Sequence, residues 1–190
     1  MTTNAINKLK SILNDRANLF VIKVVGVYAV WKVLHYTVTH SSGILHTGWL
    51  KLIEGLGSFY AGITSTILNA FGEVTIRQGI KIVYVYSQNN IRVEDHCLAI
   101  PAIVIFTFSI ILFNGLWKNK LWFIPLGLLA IFIINLIRLV SLSYIFEHFS
   151  RKFYEINHSL VYVIITYSLV FSMIMWWMKR FDTEPAQKHI

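Results

Sequence analysis

The chain has 190 residues, 56% of them hydrophobic and 14% charged, with a formal net charge of +8 and a mean hydropathy of +0.60. Soluble globular domains average about 45–50% apolar, and here the surplus is gathered into blocks, which excludes an ordinary soluble domain. The basic surplus does not argue for a nucleic-acid partner, because anionic lipid at a cytoplasmic membrane face attracts Lys and Arg.

The first block, residues 18–38, is interrupted by Lys23 and Lys32 and preceded by Lys8, Lys10 and Arg16. No small-x-small cleavage pattern follows it, so the reading is a retained first transmembrane helix. In residues 49–71, Trp49, Leu52, Leu56, Tyr60, Ile63, Ile67 and Phe71 recur at helical spacing, opposite Lys51, Glu54, Ser58, Ser65 and Asn69. Such a helix suits the membrane interface better than a solitary crossing. From 73 to 93 the texture changes: Val74, Ile76, Ile80, Ile82, Tyr84 and Tyr86 alternate with other residues, and "SQNN" reads as a turn. This predicts two or three short strands on the membrane surface.

Three further blocks follow, at 97–114, 121–147 and 158–178, and end in a short polar tail, 181–190. Each approximates the roughly 20 apolar residues needed to cross a bilayer. With the N-terminus cytoplasmic and 49–71 not crossing, the inside segments (1–17, 114–120, 179–190) carry eight Lys/Arg against three acids. The outside segments (39–96, 147–158) carry six of each. The positive-inside rule therefore favours four crossings with both termini in the cytoplasm. The expected architecture is an all-α polytopic membrane protein, a single domain over 1–190. It has about four transmembrane helices, an interfacial amphipathic helix and a small extracytoplasmic β-hairpin or sheet.

Three residues carry the chemistry. Cys97 is the only cysteine, so its role is that of a free thiol or a metal ligand. It opens a transmembrane block, where the positive end of a helix favours a thiolate, although Glu94 and Asp95 work against this. His158 opens the last block. Two crossings separate it from Cys97, which puts both on one membrane face whatever the absolute orientation. Asn135 and Arg138, spaced i, i+3, share a helix face inside the otherwise apolar "IINLIRLV". Arg138 stands nine residues before Glu147, about 13 Å along a helix, and can snorkel toward the same face. An intramembrane charge points to function by default. A thiol, an imidazole and a guanidinium together suggest nucleophilic acyl transfer.

The ordered set of a β-like lead into Cys97, Asn135-Leu136-Ile137-Arg138 in the next transmembrane block and His158 opening the last resembles the exosortase/archaeosortase family over roughly residues 70–175. These are membrane transpeptidases that process C-terminal sorting signals. The resemblance implies Cys97 as nucleophile, Arg138 as electrostatic stabiliser, His158 as general acid/base and Asn135 as the group that positions the arginine, with no metal or cofactor. It implies a prokaryotic cytoplasmic (inner) membrane enzyme with its site facing outside. Its partners would be secreted proteins with a C-terminal sorting tail, and a membrane lipid, another amine or water as acyl acceptor. The family's cysteine is usually followed by a small polar residue and glycine, whereas Leu98 and Ala99 stand here. The alternatives are a non-enzymatic polytopic membrane subunit, serving assembly or transport, and a metal or haem site built from His96, Cys97, His148 and His158. The latter lacks any familiar ligand spacing. No sequence pattern specifies an oligomeric state.

Overall fold

The computed structural model describes residues 16–181; Lys8, Lys10 and the tail from 182 onward lie outside the described residues. Helices α1 (Arg16–His40) and α2 (Ile44–Ala70) lead into strands β1 (Thr75–Gln78), β2 (Lys81–Tyr84) and β3 (Asn90–Arg92). A 3₁₀ turn (Asp95–Cys97) then enters α3 (Ile100–Leu112), followed by α4 (Trp117–His148). The last helical run comprises α5 (Arg151–Ile156), a π turn (Asn157–Val161) and α6 (Tyr162–Phe181).

Among the described residues, Val21–His40, Trp117–His148 and Arg151–Phe181 are long and apolar enough to cross a bilayer. The chain is a mostly helical, multi-pass membrane protein with a small sheet. Helices α3, α4 and α6 pack together through buried Phe106, Ile110, Ile131, Val170, Ile174 and Trp177. Lipid tails are as apolar as leucine, so helix association in a membrane depends on close packing. Gly127 of α4 shows this: a Cβ there would fall 2.1 Å from Cζ of Phe106. Helix α1 packs on α3 and buries none of its apolar window, Val21–His40, which leaves that surface to lipid.

The block expected to cross over 97–114 is helical only from Ile100 to Leu112. At 1.5 Å per residue its 13 residues reach about 20 Å, short of a hydrocarbon core of about 30 Å. Both ends have a local cause. At the start, Ala99 adopts the left-handed conformation (φ 53°) before Pro101 opens the helix. At the finish, the Lys120 ammonium donates to the carbonyls of Ile111 (2.9 Å) and Phe113 (2.7 Å), and that of Lys23 to Leu112 (3.2 Å). Cations here satisfy terminal carbonyls and complement the helix dipole.

The opposite end of the bundle carries the site. Helix α2 starts five residues earlier than its sequence pattern indicated. It begins beside the end of α1, where Trp49 meets Trp31 and His35 with ring centroids 5.9 and 5.4 Å apart. It finishes next to the end of α4, where Glu73 bonds His148 at 2.7 Å. Both ends of α2 therefore sit at the same end of the bundle. The sheet, antiparallel in the order β1-β2-β3, packs on α2. Buried Thr75 is fixed there by Ser65 (2.8 Å) and Asn69 (2.7 Å).

The last helical run also departs from expectation. The segment assigned to a loop, 147–158, is helical from Arg151. "RKFYEI" contains no breaker, and the Ser150 hydroxyl accepts the Phe153 amide as an N-cap (3.4 Å). Only Phe149 and Ser150 separate α4 from α5.

The backbone at Ala99 yields a stability test. A left-handed residue with a Cβ costs roughly 1–2 kcal/mol, a cost glycine avoids. Ala99→Gly is expected to retain or raise the melting temperature in detergent, while Ala99→Val, β-branched in the same conformation, is expected to lower stability by more than about 1 kcal/mol. Thermal denaturation of the three proteins measures the order.

Candidate functional site

Cys97 ends the 3₁₀ turn, its amide bonded to the Glu94 carbonyl at 2.8 Å. It is 8% exposed and packs with Leu98, Leu139, Tyr60 and Val93 in the cluster beneath the sheet. The turn is held from α4. Asn135, fully buried, donates its amide to the Cys97 carbonyl at 2.8 Å. Asn135 was expected to hold Arg138; no hydrogen bond joins the two among the described residues, and the asparagine anchors the cysteine's backbone instead. Its Oδ1 is buried without a hydrogen-bond partner among the described residues, although the side chain lies near the Tyr60 phenol.

Arg138, one turn along α4 from Asn135, is 6% exposed. Its Nε is buried with no hydrogen-bond partner, and no carboxylate pairs with it among the described residues. A guanidinium has five donors in a fixed fork, and leaving a buried donor unmatched is costly. This arginine is therefore not consumed by a structural ion pair. Its charge acts on the Cys97 sulfur: burial pushes the thiol up, and Arg138 is the largest influence in the other direction. A backbone hydrogen bond at Glu94 acts with Arg138, while the charges of Glu94 and Asp95 act against it.

His158 sits within the π turn, Asn157–Val161. Such bulges interrupt the helical register and often mark functional sites. Arg138 and His158 both line a half-open cavity of about 330 Å³, together with Ala99, Pro101, Ala102, Ser159, Val163, Thr166 and Tyr167. Cys97 does not line this cavity itself; the residues that follow it in the chain do. A second, smaller cavity lies across Pro101 and Tyr167, which border both.

Tyr154 is a site residue that the sequence reading did not include. Its ring stacks on His158 (centroids 5.6 Å apart, planes at 21°), and both Cys97 and Arg138 lie within electrostatic reach of its hydroxyl. The available signal was the i, i+4 spacing of Tyr154 and His158, which is legible only once the last helix is known to begin at Arg151.

Nε2 of His148 is engaged by Glu73 at 2.7 Å. No group of three or more His, Cys, Asp or Glu side chains is placed to hold an ion among the described residues, which exclude the side chain of His96.

The model of the transmembrane exosortase family (Exosortase_EpsH) matches residues 19–178. No curated protein and no solved structure matches the chain. The family match runs from the first helix to the last turns of α6 and takes in the Cys97 turn, the Asn135–Arg138 stretch and the π turn at His158. The chain belongs to the transmembrane exosortase family.

Proposed function

We propose that this protein is a cysteine transpeptidase and protease that cleaves the C-terminal sorting signals of secreted proteins at the outer face of the prokaryotic cytoplasmic membrane. One observation carries this reading: Asn135 and Arg138, one turn apart on α4, converge on the turn of the single cysteine, and His158 borders the cavity beside it. The Cys97 thiolate attacks the scissile carbonyl carbon, and the C–N bond breaks as His158 delivers a proton to the leaving amine. The resulting thioester is then attacked by an amine or by water, His158 takes the proton of the attacking group and so regains the one it gave up, the C–S bond breaks, and the thiolate returns. Arg138 stabilises negative charge on sulfur and on the tetrahedral oxygen. The Tyr154 hydroxyl adds a donor to the same region, and its ring orients the imidazole. A substrate helix docked in the bilayer presents its scissile bond at the interface.

The near-complete burial of Cys97 is also what a non-enzymatic membrane subunit would show. Cys97→Ala separates the two readings. The enzyme loses processing of a sorting-signal substrate and keeps its folding, because the side chain sits at a turn rather than mid-helix; a subunit keeps its function.

Arg138→Ala and Arg138→Lys should each lower turnover by on the order of 10²-fold or more, since an ammonium keeps the charge but loses the planar fork. The pH profiles should separate them. His158 holds the proton for the leaving amine, so the profile is read on alkylation of Cys97, a reaction of the thiolate whose rate rises with pH through the raised thiol pKa. Removing the cation pushes that pKa further up, so the deficit of Arg138→Ala shrinks as pH increases, whereas Arg138→Lys keeps the wild-type profile at lower amplitude. An Arg138→Ala enzyme with wild-type turnover would end the catalytic assignment.

Tyr154→Phe keeps the ring on His158 and removes only the hydroxyl. It is expected to lower kcat about ten- to a hundredfold with little change in KM or melting temperature; an unchanged kcat limits Tyr154 to packing.

In orientation, the end bearing Glu147 and Cys97 faces outside and the end bearing Lys118 and Lys120 faces the cytoplasm, in keeping with the charge distribution. In a Cys97→Ala background, a cysteine at position 150 should react with a membrane-impermeant maleimide in intact cells and one at 118 should not. The reverse pattern inverts the topology.

A further inference from the structure

The two edges of the three-stranded sheet are not alike. At β1 both outward main-chain groups of Thr75 are taken by α2: the Asn69 side chain accepts from the Thr75 amide at 2.7 Å and donates to its carbonyl at 3.0 Å. An open edge strand invites another strand, and proteins commonly cover it in such a way. Strand β3 has no such cover. The Tyr84 amide donates to the Asn89 carbonyl and the Val93 amide to the Ile80 carbonyl, both at 2.9 Å. With Ile91 opposite Ile82, the alternation of an antiparallel pair turns the polar groups of Asn89, Ile91 and Val93 toward β2 and those of Asn90 and Arg92 outward. Among the described residues, the amides and carbonyls of Asn90 and Arg92 have no hydrogen-bond partner.

We propose that this edge is the docking strand for the polypeptide substrate: extended residues that precede the scissile bond pair with Asn90 and Arg92 through main-chain hydrogen bonds. The inference rests on the acyl-transfer reading above and names how that substrate is held. Position selects the occupant. Beyond Arg92 the chain stays extended at Glu94 (φ −95°, ψ 178°), and the Glu94 carbonyl then accepts the Cys97 amide. The edge therefore runs without a break into the turn of the proposed nucleophile, and a chain paired along it is led to the thiol. The sheet packs on α2 at the end of the bundle that carries the site. It meets the secreted part of a substrate, before the scissile bond, while the hydrophobic helix after that bond stays in the bilayer.

In strand addition, main-chain bonds supply affinity and alternate side chains supply selectivity. The side chains of the outward residues are not the handle here. The Arg92 guanidinium stands 3.6 Å from the Glu94 carboxylate, and the Asn90 side chain is exposed. Between them Ile91 is buried, 8% exposed, as is Val93 next along the chain. Residues directly opposite each other on adjacent strands point to the same side. A substrate residue opposite Ile91 therefore turns toward the apolar side of the sheet and is expected to be apolar, and its neighbours opposite Asn90 and Arg92 turn to water and are free to vary. Strand β3 has three residues, so the paired stretch is short and the selectivity falls mainly on that one position.

The test measures binding of a synthetic peptide, copied from a sorting signal that the wild-type protein cleaves, to purified full-length protein carrying Cys97→Ala, so that the peptide stays intact. In that background Arg92→Pro removes one outward amide and leaves the ladder to β2 in place, because proline is tolerated on a strand edge. It is expected to weaken binding at least about fivefold, whereas Arg92→Ala, which keeps the amide, stays within about twofold. A second series leaves the protein untouched and methylates single backbone amides of the peptide. Loss of binding is expected at every second residue of the paired stretch before the scissile bond and not at the residues between. Equal effects of Arg92→Ala and Arg92→Pro, or a methylation series without alternation, overturn the proposal. If Arg92→Pro lowers the melting temperature, the methylation series decides alone. Alternation together with cleavage that survives Cys97→Ala counts against the transfer chemistry and not against the edge.

Discussion

One hydrogen bond sets the geometry of the site: the buried Asn135 amide to the Cys97 carbonyl, 2.8 Å across 38 residues of sequence. A buried backbone carbonyl outside a helix needs a partner, because water does not reach it. The turn before α3 exposes such carbonyls, and α4 supplies the donor. This fixes the cysteine against the longest helix in the protein, at the level where Arg138 follows one turn later. The shortness of α3 belongs to the same arrangement. A helix of 13 residues, stopped by Lys23 and Lys120 at one end and by the Ala99 reversal at the other, brings the cysteine turn beside Asn135 of α4.

The arginine inside "IINLIRLV" is explained at the same level. Charges at membrane depth are costly and usually face the bundle interior. Arg138 does face inward, 6% exposed, yet it forms no ion pair among the described residues. Its field falls on the Cys97 sulfur, where burial alone would hold the thiol protonated. The two costs offset each other: a buried thiol that resists ionisation and a buried cation that lacks an anion are each unfavourable, and formation of the thiolate relieves both. On the proposed mechanism, the attacking thiolate and the oxyanion that follows are the states that this pairing stabilises.

Much of this was legible in the chain. Hydropathy blocks indicated a polytopic membrane protein, and alternation at Val74–Tyr86 indicated the sheet. Other features were not legible, for specific reasons. The 17-residue apolar run after Cys97 looks like a full crossing, because apolar composition does not reveal a backbone reversal at Ala99 or terminal carbonyls capped by distant lysines. The span 151–156 looked like a loop because its charges, Arg151, Lys152 and Glu155, masked a breaker-free helix whose cap is Ser150. That misreading hid Tyr154, one turn before His158. The bond from Asn135 to the Cys97 carbonyl was not legible, because i, i+3 spacing reports a shared helix face and this acceptor comes from another segment.

The central claim is that Cys97 carries the acyl group during turnover. Intact-protein and peptide mass spectrometry of the enzyme, quenched in acid while processing a sorting-signal substrate without added amine, tests it most directly. The account predicts an adduct with the mass of the substrate's acyl portion on the peptide containing Cys97, removable by hydroxylamine as a thioester. Turnover that proceeds with no adduct at Cys97, or with a stable adduct on another residue, would contradict it.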